Sequence, residues 1–299
     1  MQANLKKISL LIGLLGTLEA CSTQAQPNNP SYQQNTVQGN FKEEPQVVEG
    51  NVAKYTISTK TTEQKADYKK ATSLNAELVI IYSHDGYLDR AKDKLVKAQQ
   101  LAKQHGYKLA IVDYAAGYYY QIIGSKSIAE KYYKEAISNE PKNFEAMNFY
   151  AQFLCQIKDN FSQAEKLFEK SLYMSDNNDM AQTFFLYSEC LYKQDKKKDA
   201  LSFMEKADKF KANYLGAKLR LAEMYFEQGQ YKECYKVIYE MRNNEEFFNN
   251  KRVLELRLKL AEYANNKNEA ATVRLIFSSK DFNDDDIDQF FSASDGGIE

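Results

Sequence analysis

The chain of 299 residues has no tryptophan, only two histidines, four prolines and twelve glycines. His84 and His105 leave it poor in the commonest general base and metal ligand. So few helix breakers, beside many Ala, Leu, Lys and Glu, argue for helices. Neither sign of charge dominates. Forty basic and 41 acidic residues give a formal net charge of -1, so nothing draws the whole chain toward nucleic acid. The charges read as a solvated surface. No phosphate loop, nucleophile elbow or metal motif occurs, and no CxxC or His–Cys spacing. These absences predict a protein that is not an enzyme and takes no cofactor and no metal.

A long apolar run is also missing. Ile8 to Leu18 carries no charge and follows Lys6 and Lys7. It is too short to span a bilayer, which takes about 20 residues, and it fits the apolar region of an export signal. Its end, Leu18-Glu19-Ala20-Cys21, resembles the lipobox of bacterial lipoproteins, with Glu19 departing from the small or apolar residue usual there. The resemblance implies diacylglycerol on the Cys21 thiol and cleavage before it. Ser22 after the cysteine implies sorting to the outer membrane. Thr23-Gln24-Ala25 offers a second cleavage route, which would leave a soluble periplasmic protein.

The expected organisation is a signal peptide over 1–20, a tether over 21–66, a helical domain over 67–280 and an acidic tail over 281–299. The tether contains "STQAQPNNPSYQQNTVQGN", whose sparse apolar residues cannot offset the entropy of ordering. The tail contains "DFNDDDIDQ", Asp281 to Gln289, which lacks the glycine and final glutamate of a calcium loop.

From about residue 67 the apolar pattern follows a 3.6-residue period. A longer period lies over it. Ala91, Ala129, Ala164, Ala200, Cys234 and Ala270 recur at intervals of 34 to 38 residues. That spacing is the tetratricopeptide signature of helix-turn-helix units. Asp113, Ala116, Gly117, Tyr120, Ala129, Tyr133, Ala136 and Pro141 stand at its expected offsets. Ala116-Gly117 predicts a close approach of paired helices, Tyr120 a filler between them, and Pro141 a helix stop. Asn160 reads as one extra residue in the third turn. The predicted fold is all-α, a tetratricopeptide right-handed superhelix of about six repeats whose first helices line a concave wall.

The register assigns side chains to that wall. Ala76, Ile80, Ile111, Tyr114 and Tyr118 come first, followed by the polar Asn148 and Gln152. Phe185, Glu189, Tyr192, Leu219, Glu223 and Phe226 come next, then the charged Arg252, Glu255, Lys259 and Glu262. Ile80, Ile111, Tyr114, Tyr118, Phe185, Tyr192, Leu219 and Phe226 are the candidate partner-binding groove, suited to an extended or helical peptide with apolar anchors. Cys155, Cys190 and Cys234 occupy apolar helical positions and read as buried free thiols. Export permits a disulfide, and Cys155 and Cys190, on first helices of neighbouring units, are then the candidate pair. "KQDKKKDA", Lys193 to Ala200, reads as a wet basic turn or a lipid-headgroup contact.

The stretch "NFYAQFLCQ", Asn148 to Gln156, resembles the "NNYGxFLCQ" stretch of the PilF/PilW family, the tetratricopeptide lipoproteins needed to build type IV pili. Phe149 and Ala151 depart from it. "LRLKLAEYANNKNEAATVRLIF", Leu256 to Phe277, resembles that family's last repeat, with Asn265 in place of a glycine and therefore a wider turn expected. The resemblance implies a pilotin, a non-catalytic protein of the outer membrane that helps a secretin subunit reach and assemble in that membrane. It also places the contact on the early repeats, at Ile80, Ile111, Tyr114 and Tyr118. The alternatives are a lipoprotein scaffold for outer-membrane barrel assembly and a general periplasmic repeat-protein adaptor.

Overall fold

The computed structural model describes residues 67–279, and among these it contains thirteen helices and no strand. The expected signal peptide, lipidated Cys21, tether and acidic tail lie outside the described residues. Six helical hairpins follow one another. They are α1 (Tyr68–His84) with α2 (Leu88–His105), α3 (Ala110–Ile122) with α4 (Lys126–Asn139), and α5 (Phe144–Gln156) with α6 (Phe161–Leu172). Then come α7 (Met180–Lys193) with α8 (Lys197–Phe210), and α9 (Leu215–Glu227) with α10 (Tyr231–Glu240). A single extra turn, α11 (Glu245–Phe248), precedes α12 (Lys251–Tyr263) and α13 (Lys267–Ser279). Each second helix packs on its own first helix and on the first helix of the next pair. This is the stacked arrangement of a tetratricopeptide superhelix.

Small residues set the closeness of each hairpin. Ala91, Ala129, Ala164, Ala200 and Cys234 are wholly buried, and Ala270 nearly so. On the facing helix, Gly117 meets Tyr133. A Cβ at 117 would lie 2.8 Å from the Tyr133 ring. That ring is fully buried, and its hydroxyl donates to Gln121 Oε1 at 2.8 Å, so it has little room to retreat. Gly117→Ala is expected to lower stability by about 1–3 kcal/mol through overpacking. A denaturant midpoint unchanged from the parent's would contradict that. In the fourth hairpin Ser188 stands at the matching point, and its hydroxyl donates to the Ala200 carbonyl at 2.6 Å.

The six hairpin turns share one device. A residue at positive φ stands shortly after each first helix: Gly86, Gly124, Asp159, Asp195, Gly229 and Asn265. Asparagine and aspartate tolerate this left-handed region better than other side chains. Asn265, at φ 52°, therefore makes the same turn as the glycines, and the Asn266 N–H closes it onto the Ala261 carbonyl at 2.7 Å. The wider turn expected there is corrected. The third turn does carry one extra residue: its left-handed residue follows the helix end by three positions, against two elsewhere. Tyr120 is only half-buried and stacks on Tyr132 at 5.4 Å, while Tyr133 fills the space between the helices.

The turn α11 is held in place by Arg257. Its guanidinium lies 3.7 Å from the Phe248 ring centroid, donates to the Phe248 carbonyl at 3.0 Å and pairs with Glu269 at 2.8 Å. Phe247 beside it is wholly buried.

Candidate functional site

The first helices α1, α3, α5, α7, α9 and α12 form the inner layer. Their spacing is set by side chains, about 8–10 Å between axes. A small or polar residue on the inner face stays on the wall. A large apolar one can turn into the seam between neighbours, where it loses more water-exposed area. The groove candidates divide on this ground. Ile80, Tyr114, Tyr118, Phe185 and Leu219 are buried, none more than 6% exposed. Tyr114 stacks on Phe149 at 4.7 Å, and Tyr118 meets the same ring edge-on at 5.9 Å. Phe185 packs against Tyr214 at 5.4 Å. These five belong to the seams, and the open apolar groove expected from them is not formed by their side chains. Ile111, Tyr192 and Phe226 keep part of their surface exposed. Phe226 lies against Tyr231 at 5.1 Å, with the Lys259 ammonium 5.8 Å above its ring.

Ions dominate the wall from the fourth repeat onward. Arg220 donates to Glu189 at 2.8 Å and approaches Glu223 at 3.4 Å and Glu227 at 3.6 Å. Its guanidinium lies 4.4 Å above the Tyr192 ring, and the Tyr192 hydroxyl donates to Glu227. Arg252 donates to both oxygens of Glu223, at 2.8 and 2.7 Å. Burial pushes the Glu189 carboxyl above its ordinary range, and Arg220 works against that. Burial opposes the charge on Arg220, but the three carboxylates outweigh it and hold the guanidinium protonated more firmly than usual. The helical register does not assign Arg220 to the wall. Its only sequence signal is a lone arginine in the apolar stretch Leu219 to Ala222, three residues before Glu223 and one repeat after Glu189.

The earlier repeats differ. Among the described residues, Glu77 on α1, Glu145 on α5 and Glu140 just before it make no ion pair with a lysine or arginine. Glu145 accepts from the Tyr114 hydroxyl at 2.9 Å. Glu140 accepts from the Ala110 N–H and from the Asn143 amide. Burial raises the Glu145 carboxyl; the Tyr114 bond relieves it in part, and the charges of Asp179 and Glu140 add to it. Burial, then the charge of Glu145, raises Glu77. The polar residues assigned to this part of the wall, Asn148 and Gln152, are both buried.

Cys155 and Cys190 form a disulfide across α5 and α7, with Cα atoms 5.8 Å apart. For these two the free-thiol expectation is corrected: neighbouring first helices bring the same face of each to bonding distance. Cys234 is a buried free thiol, pushed up to about 12 by burial and then by Glu223, and so unreactive. The basic turn is engaged within the protein. Lys193 donates to the Cys155 and Gln156 carbonyls and to Asp159, at 3.0, 2.8 and 2.7 Å. Lys196 pairs with Glu165 at 2.8 Å. Among the described residues, no group of three metal-ligating side chains comes together and no helix is long and apolar enough to cross a membrane.

Residues 157–241 match the family described as anaphase-promoting complex, cyclosome, subunit 3. No curated protein matches the chain. Similar solved structures include that of PilF from Pseudomonas aeruginosa, at 19% identity. It covers 70% of this chain and 91% of that one, with a TM-score of 0.55. They also include PilW, described as a widely conserved type IV pilus biogenesis factor, at 18% identity. That match covers 71% of this chain and 94% of the other, with a TM-score of 0.58. The chain has the all-α tetratricopeptide fold, a repeat scaffold that both of these proteins share.

Proposed function

We propose that the protein is a lipid-anchored pilotin of type IV pilus biogenesis, which binds a secretin subunit along its inner wall and holds it at the outer membrane. The observation that carries this reading is the joint one of fold and motif. The helical stack is similar over most of its length to the solved structures of PilF and PilW, and the "FLCQ" stretch, Phe153 to Gln156, lies on α5, where Phe153, Leu154 and Cys155 are buried. The lipobox at Cys21 supports the anchor, since two or more acyl chains make membrane attachment stable. Holding the subunit at the membrane raises its effective concentration there.

Capture falls to the accessible apolar residues, Ile111 and Phe226, each already partly buried and so able to contribute only a fraction of the roughly 1.5–3 kcal/mol of a full burial. Tyr114 and Tyr118 are unsuitable probes because their loss would open the seam between repeats. The test is the double variant Ile111→Ser/Phe226→Ser in a cell that assembles the secretin. Secretin multimers in the outer membrane should fall at least several-fold while the variant, read at a temperature well below its melting midpoint, keeps the parent's helical content. Normal multimer levels would refute capture by this wall. The anchor is tested separately: Cys21→Ala should move the protein from the membrane to the soluble fraction, and unchanged membrane association would refute lipidation.

A further inference from the structure

The second helices α4, α6 and α8 meet the next hairpin in one way. The buried small residues Ala129, Ala164 and Ala200 set their register. One or five places further on stands a glutamate: Glu130, Glu169 or Glu205. Each accepts from a tyrosine of the following first helix, Tyr150 at 3.4 Å, Tyr187 at 3.4 Å and Tyr225 at 2.8 Å. In α13 the same two places, counted from Ala270, hold Ala271 and Leu275. Both are exposed, Leu275 by 70%. Terminal repeats of such stacks ordinarily turn a polar outer face to water. Here the joint surface is apolar, and among the described residues no helix follows it.

The sequence beyond α13 continues the pattern. In the second and fourth hairpins the next first helix begins 15 residues after the small residue, from Ala129 to Phe144 and from Ala200 to Leu215. The same interval from Ala270 falls on Asp285, beyond the described residues. Asp284 then takes the capping position, where aspartate is among the favoured residues. Asp285 and Asp286 fall in a first turn, which favours acids. Ile287, Phe290 and Phe291 follow at the spacing of one helical face. Counted from the helix start, they correspond to Ala146, Phe149 and Tyr150 of α5, all three buried. The chemistry of the two sides agrees as well. Glu130 on α4 is met by the Tyr150 hydroxyl. Ala271 and Leu275 offer no acceptor, and the place of that tyrosine is taken by Phe291, which has no hydroxyl to satisfy.

We propose that residues 285–294 form a short helix that covers the outer face of α13, as the first helix of a seventh repeat would, with Ile287, Phe290 and Phe291 on Ala271 and Leu275. The occupant is this segment because it is tied to α13 itself. A link this short gives an effective concentration on the order of millimolar, well above that of a second chain in dilute solution. The cap closes the stack and keeps its open end from taking up another chain head to tail. It stands whether or not the inner wall holds a secretin subunit.

The test is hydrogen exchange of the full chain, read by mass spectrometry, with sedimentation beside it. Amides of α13 should exchange about tenfold faster in Phe290→Asp/Phe291→Asp than in the parent. Leu275→Asp, a change at an exposed position, should in turn speed exchange in 285–294 by a similar factor. Joining the three substitutions should add little further, since both sides act on one contact. The parent should sediment as a monomer. Exchange in α13 that ignores the two phenylalanines, or exchange in 285–294 at the rate of an open peptide in the parent, would overturn the proposal. A parent dimer that Leu275→Asp dissociates would overturn it too, and would assign the face to a second copy of the chain.

Discussion

Replacing Cys155 and Cys190 together by alanine should lower the stability of the oxidised protein by about 4 kcal/mol. The bond spans a sequence separation of 35. Closing a loop of that size in the unfolded chain removes conformational entropy worth about 4 kcal/mol at room temperature. For a helical domain of this length that corresponds to a fall in melting midpoint on the order of 10 °C. Reductant supplies the control. It should bring the parent down to the level of the double variant and leave the variant where it is. A parent whose midpoint ignores reductant would show that the bond contributes nothing.

Arg220→Ala should cost about 3–5 kcal/mol, the usual result of removing one partner from a buried ion pair. The side chain is 11% exposed and its partner Glu189 12%. Without the guanidinium, Glu189 keeps its burial and loses its hydrogen bond, and Glu227 loses its cation. The effect has a pH signature. The Glu189 carboxyl is already raised, and removing the cation raises it further. A carboxyl raised in the folded state opposes folding at pH values above its folded pKa, and the opposition disappears below its unfolded value. The deficit of Arg220→Ala relative to the parent should therefore shrink as pH falls from 7 toward 4. The pair Arg220→Met with Glu189→Met should recover most of the loss, because neither charge is then left buried alone. Denaturant titrations of the parent and the two variants at two pH values check both statements. A deficit that does not change with pH would mean that Glu189 is not the group left stranded.

The stack itself is legible in the chain because its cause is local. Two helices can approach only where one carries a small side chain, so Ala91, Ala129, Ala164, Ala200, Cys234 and Ala270 mark the hairpins directly, and all six are buried at that seam. The wall is less legible. The same helical face borders both the open surface and the joint with the next repeat, and side-chain volume decides between them. Tyr114, Tyr118, Phe185 and Leu219 are read as wall residues by register and are drawn inward by size. Arg220 escapes notice for a different reason: its partner Glu189 lies 31 residues away, visible only once the repeats are stacked. Asn265 misleads because a glycine-based pattern treats asparagine as a departure, whereas the backbone there adopts φ 52° and needs only a residue that tolerates it.

The joint between the third and fourth repeats has a consequence for how the whole array deforms. Stacked repeats ordinarily touch only their neighbours, and each junction can hinge or peel by itself. Here the disulfide, the Lys193 ammonium on the end of α5, the Lys196–Glu165 pair and the Asn148–Thr183 bond all cross one junction. Other junctions also carry polar contacts, such as Arg220–Glu189 and Arg252–Glu223, but among the described residues only this one is closed by a covalent bond. A load applied to the two ends of the stack can therefore open the other junctions but not this one without breaking a covalent bond, and amide exchange should be slowest in α5 and α7.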